Sequence, residues 1–346
     1  MKAVWKALSR SIPSSSETAS RFNTRTRRCI SAISVCVVAL AWSLPARADW
    51  PERQVKLIVT FPAGSANDAA ARIFADALGK KWGKPVVVEA KPGAEGTIGV
   101  GSFVASRDDH TLLYTVAGSI TVAPLLVDKL PYDVNQDLVP IAATTSIVLT
   151  LAVSNQLPVQ SIPELIAVLR SNPEKYAWTS GPTLPRYVFA AFLKQNDLKM
   201  NFVSYRDASQ PQADLGEGRI QALLTSLTAS SSPVQAGKAR FLAVVNPSRA
   251  AALPEIKTVR ELGHPELEID GLAGIFGGKD MSAKLRSRIA ADVAAICRDD
   301  ADVRRKLEAS GHNVLSGTPE QLMGAIEKQR AWVSEITKLI DIRNPQ

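Results

Sequence analysis

The chain has 346 residues, 46% of them hydrophobic, with 41 Lys and Arg against 33 Asp and Glu for a formal net charge of +8. The basicity sits at one end: Lys2, Lys6, Arg10, Arg21, Arg25, Arg27, Arg28 and Arg47 face Glu17 alone, so residues 1–48 carry +7 of the +8 and leave +1 for the other 298 residues. A near-neutral remainder excludes a nucleic-acid surface argued from charge, and its length exceeds what one hydrophobic core usually serves, which predicts two domains.

Residues 1–48 read as a secretory signal. Arg25, Arg27 and Arg28 precede an apolar run from Ile30 to Leu44, and Ala46-Arg47-Ala48 closes it with small residues where a signal peptidase reads, so cleavage is expected before Asp49. The run is shorter than the roughly 20 apolar residues of a membrane anchor. Cys29 and Cys36 leave with it and neither follows a lipobox pattern. Cys297 then stands alone, and the mature chain has no internal disulfide.

Val55–Thr60 reads as a buried strand and Ala69–Lys80 as an amphipathic helix, with Phe61-Pro62-Ala63-Gly64-Ser65-Ala66-Asn67-Asp68 between them. That loop delivers backbone N–H groups to a helix N-terminus, where an anion is welcome. Pro62 stiffens the turn, Gly64 permits close approach, and Asn67 or Asp68 can cap the helix. An ordinary strand–turn–helix junction reads the same way. Val86–Glu89 and Thr111–Val116 follow as strands around a helix at Ile98–Ala105, which is βαβ grammar and predicts a mostly parallel sheet. Leu138–Val153 is too long for one strand and is expected to cross from one domain to the next.

The second unit opens on Ser161-Ile162-Pro163-Glu164, a helix start feeding Leu165–Arg170. Strands are expected at Ala177–Thr179, Asn201–Ser204, Ile220–Thr225, Phe241–Val245 and Leu272–Phe276, then helices at Met281–Arg298, Ala301–Ala309 and Pro319–Leu339. Thr318-Pro319-Glu320-Gln321 forms a capping box for the last of these. Two apolar crossings, at Leu138–Val153 and Glu268–Phe276, imply two α/β lobes with a cleft between them. The expected division is 49–148 with 273–346 as one lobe and 149–272 as the other.

Catalytic signatures are missing from the sequence. His110, His264 and His312 have no partner at metal-ligand spacing, so no metal is expected. No Gly-x-Ser-x-Gly elbow or phosphate loop occurs, and Gly93-Ala94-Glu95-Gly96-Thr97 lacks dinucleotide spacing. His110 reads as a turn residue, Gly311-His312 as a helix end and Cys297 as a core thiol. A secreted two-lobed chain without catalytic machinery points to binding rather than an enzyme, with no cofactor.

The chain resembles the periplasmic solute-binding proteins of tripartite tricarboxylate transporters, the Bordetella uptake gene family. The resemblance is carried by Trp50-Pro51-Glu52-Arg53-Gln54-Val55-Lys56-Leu57-Ile58-Val59, Phe61-Pro62-Ala63-Gly64, Val86-Val87-Val88-Glu89-Ala90-Lys91-Pro92-Gly93-Ala94, Leu130-Pro131-Tyr132-Asp133, Gly237-Lys238-Ala239-Arg240 and Leu253-Pro254-Glu255-Ile256-Lys257-Thr258-Val259. It implies a periplasmic-binding-protein-like (type II) Venus-flytrap. Such a protein closes on a small organic acid (a di- or tricarboxylate, an aromatic carboxylate or an acidic amino acid) and hands it to a membrane permease. A periplasmic monomer is expected; a ligand-presenting sensor of the same fold is the first alternative and a secreted α/β enzyme the second.

By the same resemblance, a ligand carboxylate meets Ala63, Gly64, Ser65, Asn67 and Asp68 on the first lobe, with Gly118 and Ser119 on the pocket wall. Ser65 and Asn67 stand where relatives commonly have Gly and Thr. On the second lobe the matching stretch is Thr179-Ser180-Gly181-Pro182-Thr183-Leu184-Pro185-Arg186-Tyr187, with Arg186 near the position of a family His. Ser180 and Thr183 are expected donors, and Arg186 a bidentate clamp for a distal carboxylate or a solvated interlobe residue. Gln221, Thr225 and Leu272 replace two family acids and an aromatic.

Overall fold

The computed structural model describes residues 50–207 and 209–343. The expected signal segment lies outside them. Strand β1 (Val55–Val59) is buried at four of its five positions, the pattern of a strand covered on both faces. It pairs in parallel with β2 (Val86–Ala90) and β3 (Thr111–Val116). Helix α1 (Ala66–Trp82) joins β1 to β2, and α2 (Thr97–Ser106) joins β2 to β3, so the chain opens with two βαβ units. Helix α3 (Ala117–Leu126) then leads to β4 (Leu138–Ile147).

After a single residue, Val148, the chain enters β5 (Leu149–Ser154) in a second sheet. Around β5 are built α4 (Ile162–Ser171), β6 (Ala177–Ser180), α5 (Leu184–Gln195), β7 (Asn201–Phe202), α6 (Gln210–Gly216), β8 (Ala222–Ser226), α7 (Leu227–Gln235) and β9 (Ala239–Val244). The chain returns through β10 (Leu272–Gly278), followed by α8 (Ala283–Asp299), α9 (Ala301–Ala309), β11 (His312–Gly317) and α10 (Pro319–Leu339). The strand orders are β11-β4-β10-β3-β1-β2 and β7-β6-β8-β5-β9. The fold is an α/β Venus-flytrap with a cleft between two lobes.

The sheets are mixed rather than mostly parallel. β10 runs antiparallel to both β3 and β4, β11 antiparallel to β4, and β5 antiparallel to both β8 and β9. The two strands by which the chain enters a sheet from the cleft, β5 and β10, run opposite to that sheet's own βαβ strands, whereas β4 leaves the first sheet in the same direction as β3. Only those local units are parallel.

Several elements escaped the periodicity reading, among them α3, α6, α7 and β11. α3 reads poorly as a helix, with Gly118, β-branched residues and Pro124, yet all of Ala117–Ala123 is buried and packing overrides propensity. β11 is short, polar and irregular, with a register shift between Val314 and Gly317. The last helix begins with the capping box expected at Thr318 and Gln321. Its first half buries Leu322 and Ile326 against Leu113 and Phe276, and its second half buries Val333 and Ile336 in the cluster that holds Trp178 and Phe189. It therefore straddles both cores.

Trp178 anchors the second core, fully buried, with ring centroids 4.8 Å from Phe189 and 4.9 Å from Phe202. Truncating such a residue to Ala costs about 3–5 kcal/mol. At the crossing, Asn246 is buried and accepts the Leu149 N–H at 2.7 Å while its amide donates to the Ile147 carbonyl at 2.8 Å. One side chain thus fixes the chain on both sides of Val148. Among the described residues no helix is long and apolar enough to cross a membrane.

Candidate functional site

The two sheets face each other across a cavity of about 640 Å3. The first lobe contributes the β1–α1 loop, Glu95 and Gly118. The second contributes the β6–α5 loop, Arg186, Phe202 and Thr225, and Asp270 and Gly271 lie where the chain returns. Of the residues expected from sequence, Ala63, Gly64, Ser65, Asn67, Gly118, Ser180, Thr183 and Arg186 line this cavity. Asp68 and Ser119 do not.

In the β1–α1 loop the cap is Ser65, not Asn67 or Asp68: its hydroxyl accepts the Asp68 N–H at 3.2 Å. Asp68 is buried behind the loop, where Oδ2 accepts the Gly64 N–H at 2.9 Å and both carboxylate oxygens take Arg72. The Gly64 donor is therefore spent inside the loop, and Gly64 contributes its left-handed conformation, φ +81°. Ala66 and Asn67 are the first helical residues, whose N–H groups have no intrahelical acceptor. Among the described residues these two N–H groups have no other acceptor either. The Asn67 side chain is 4% exposed, lines the cavity and leaves Oδ1 without a partner. Two backbone donors thus stand at the positive end of a 17-residue helix, on residues that line the cavity.

Ser119 is held away from the cavity by close packing. A Cβ on Gly96 would stand 2.7 Å from the Ser119 hydroxyl, so that side chain fills the space over the Gly96 turn. Gly118 faces the other lobe instead: a Cβ there would meet Thr183 Oγ1 at 3.2 Å. Of Gln221, Thr225 and Leu272, Thr225 alone lines the cavity. Gln221 braces the β6 edge, accepting the Ala177 N–H at 2.8 Å and donating to the Gly218 carbonyl at 2.6 Å. Leu272 is buried in the first core beside Phe276.

On the second lobe the Ser180 hydroxyl is buried and unpartnered. Arg186, in the first turn of α5, lays its guanidinium over Phe202, 4.3 Å from the ring centroid, and its Nε is buried without an acceptor. Thr183 caps α5 with a strained backbone, φ 64° and ψ −134°, and its N–H donates across the cleft to Glu95 Oε2 at 2.7 Å. Burial pushes the Glu95 carboxyl above its usual range, while the Thr183 N–H and the Arg186 charge pull it back. Asp270 opens on the cleft yet is surrounded by enough protein that desolvation raises its carboxyl too, against a Ser146 hydrogen bond at 3.2 Å.

Sequence reasoning passed over Glu95, Phe202 and Asp270. The available signal for Glu95 was an acid set between Gly93 and Gly96, where a strand-to-helix turn needs no charge. Elsewhere, His110 does have carboxylate neighbours, contrary to expectation. Its Nδ1 lies 2.7 Å from Asp109 Oδ1, its Nε2 accepts the Glu52 N–H at 3.3 Å, and Asp108 pairs with Arg53 at 2.7 Å. Each of these groups is engaged, by a neighbour in the turn or by the segment that precedes β1. Cys297 is buried, and desolvation pushes its thiol up to about 12, as a core residue.

A family model described as "Tripartite tricarboxylate transporter family receptor" matches residues 70–342. The chain belongs to that family. Protein BugT of Bordetella pertussis is 27% identical over 315 residues, covering 89% of this chain and 96% of BugT. Among solved structures, R. palustris Rpa4515 with adipate superposes with a TM-score of 0.76 at 25% identity, covering 84% of this chain and 98% of the other. The periplasmic binding protein BugD has a TM-score of 0.73 at 24% identity, covering 84% and 98%. This receptor of the tripartite tricarboxylate transporter family is thus a solute-binding protein by kinship as well as by fold.

Proposed function

We propose that the protein captures a small organic carboxylate in the interlobe cleft and delivers it to a tripartite tricarboxylate-type permease. The observation that carries the reading is that the N–H groups of Ala66 and Asn67, residues that line the cleft at the start of α1, have no acceptor among the described residues. Charge-assisted hydrogen bonds from such donors are short and strong, and the geometry is set in advance by a strand on one side and a helix on the other. Ser180, Thr183 and Arg186 then meet the rest of the ligand from the second lobe. Adipate in Rpa4515, a relative of like fold, supports an organic acid as the ligand class.

In this reading the lobes are 49–148 with 273–346 and 149–272, and they close by flexing at Val148 and at the return into β10. The family supports a periplasmic location, and in this reading residues 1–48 are removed on export. The test is a thermal-shift screen of the 49–346 chain against organic acids, each paired with its primary amide. A ligand at a hundredfold excess over its Kd adds about 2.7 kcal/mol to folded-state stability. Acids are expected to raise the melting temperature and their amides to leave it unchanged. Loss of uptake of the selected acid in cells lacking this protein would establish delivery; uptake at the normal rate would leave binding without transport.

A further inference from the structure

We propose that Glu95 is the chain's own occupant of the second lobe's anion position, and that it restricts the cleft to ligands carrying one carboxylate. The inference rests on the carboxylate reading above and narrows it. Thr183 caps a 12-residue helix without any side-chain cap bond, and its N–H is engaged instead by the Glu95 carboxylate from the opposite lobe. Arg186 stands in the first turn of the same helix and acts on Glu95 through space, with its Nε buried and without an acceptor. A helix start and a guanidinium are what a distal ligand carboxylate would seek. Glu95 is already there.

The backbone supports a positioned side chain. Glu95 sits at φ +55°, flanked by Ala94 at +46° and by Gly93 and Gly96 at +120° and +96°. Glycine would take that conformation without strain, so an acid held there across the cleft is a feature with a cost. Its second oxygen remains for the cavity, since Oε2 alone meets Thr183. Asp207 and Asp270 also line the cavity, so three carboxylates stand against the guanidinium groups of Arg186 and Arg206. One ligand carboxylate is accommodated at the start of α1. A second would have to displace Glu95 and then sit among like charges.

Calorimetry with length-matched acids tests this: hexanoate against adipate, butyrate against succinate, and benzoate against terephthalate. Wild-type protein is expected to bind the monocarboxylate at least tenfold more tightly than its diacid in the pair that binds best. Glu95→Gln removes the charge and Glu95→Gly vacates the position, and glycine suits the backbone, so one of the two remains informative if the other misfolds. Both should move the affinity ratio at least tenfold toward the diacid, and adding Arg186→Ala should reverse the gain. A wild-type preference for the diacid, or a ratio within threefold of wild type in both variants, would overturn the role of Glu95 and leave carboxylate capture standing. No binding of any of the six acids by any of these proteins would sink both.

Discussion

The Gly64 N–H donates to Asp68 Oδ2 at 2.9 Å, four residues along the same chain. That bond folds the β1–α1 loop back on the helix it precedes and removes one donor from the cleft. What the helix start leaves for a ligand is the pair of N–H groups at Ala66 and Asn67. Asp68 shapes the loop from behind, with 3% of its side chain exposed, while its partner Arg72 is 54% exposed.

Asp68→Ala should therefore destabilise the fold by about 1–3 kcal/mol, because it leaves the Gly64 N–H unsatisfied and removes charge-assisted bonds. Arg72→Ala should cost at most about 1 kcal/mol, since its end of the pair is solvated. Urea unfolding of both variants checks the asymmetry. Equal losses would mean that Asp68 matters only as a surface ion-pair partner.

Ser65→Ala is expected to cost about 1 kcal/mol in stability through the lost helix cap. Ser65→Asp should retain most of that stability, yet weaken carboxylate binding by placing a negative charge beside the Ala66 and Asn67 donors. Denaturation and calorimetry on the pair separate the two effects. Unchanged affinity in Ser65→Asp would place the ligand away from this loop.

His312 gives the fold an acid sensitivity whose sign is fixed by burial. It is 1% exposed, its Nδ1 lies 3.1 Å from the Ser310 hydroxyl, and desolvation lowers its pKa from 6.5 to about 4. Below pH 6.5 the unfolded chain takes up a proton that the buried ring refuses. Its contribution to stability is thus complete above 6.5 and is lost as pH falls toward 4. Each pH unit between those two values is worth about 1.4 kcal/mol. From pH 7 to pH 4.5 the wild type should therefore lose about 2.5 kcal/mol more than His312→Asn, read by urea unfolding at both pH values. Parallel losses in the two proteins would contradict the assignment.

Much of this architecture was legible in the sequence because long periodic segments report their own packing. Ala301–Ala309 and Pro319–Leu339 match their expected bounds, and Leu138–Val153 divides at Val148 into one strand for each sheet. Elements that packing imposes were illegible: α3 against its composition, and β11 with its polar, shifted register. The cleft was half legible. A strand–loop–helix junction announces its free N–H groups, but it does not say that Asp68 takes the one at Gly64. Nor does it say that Ser119 is trapped behind Gly96. Glu95 and Thr183 are 88 residues apart, and only folding sets one against the other.

The central claim, that the start of α1 holds the ligand's carboxylate, is tested most directly by a crystal structure of the 49–346 chain with the acid selected by thermal shift. The account predicts the carboxylate within about 2.7–3.2 Å of the Ala66 and Asn67 nitrogens, with Gly64 still bonded to Asp68. A ligand whose carboxylate lies elsewhere in the cleft, with those two N–H groups on water, would contradict it.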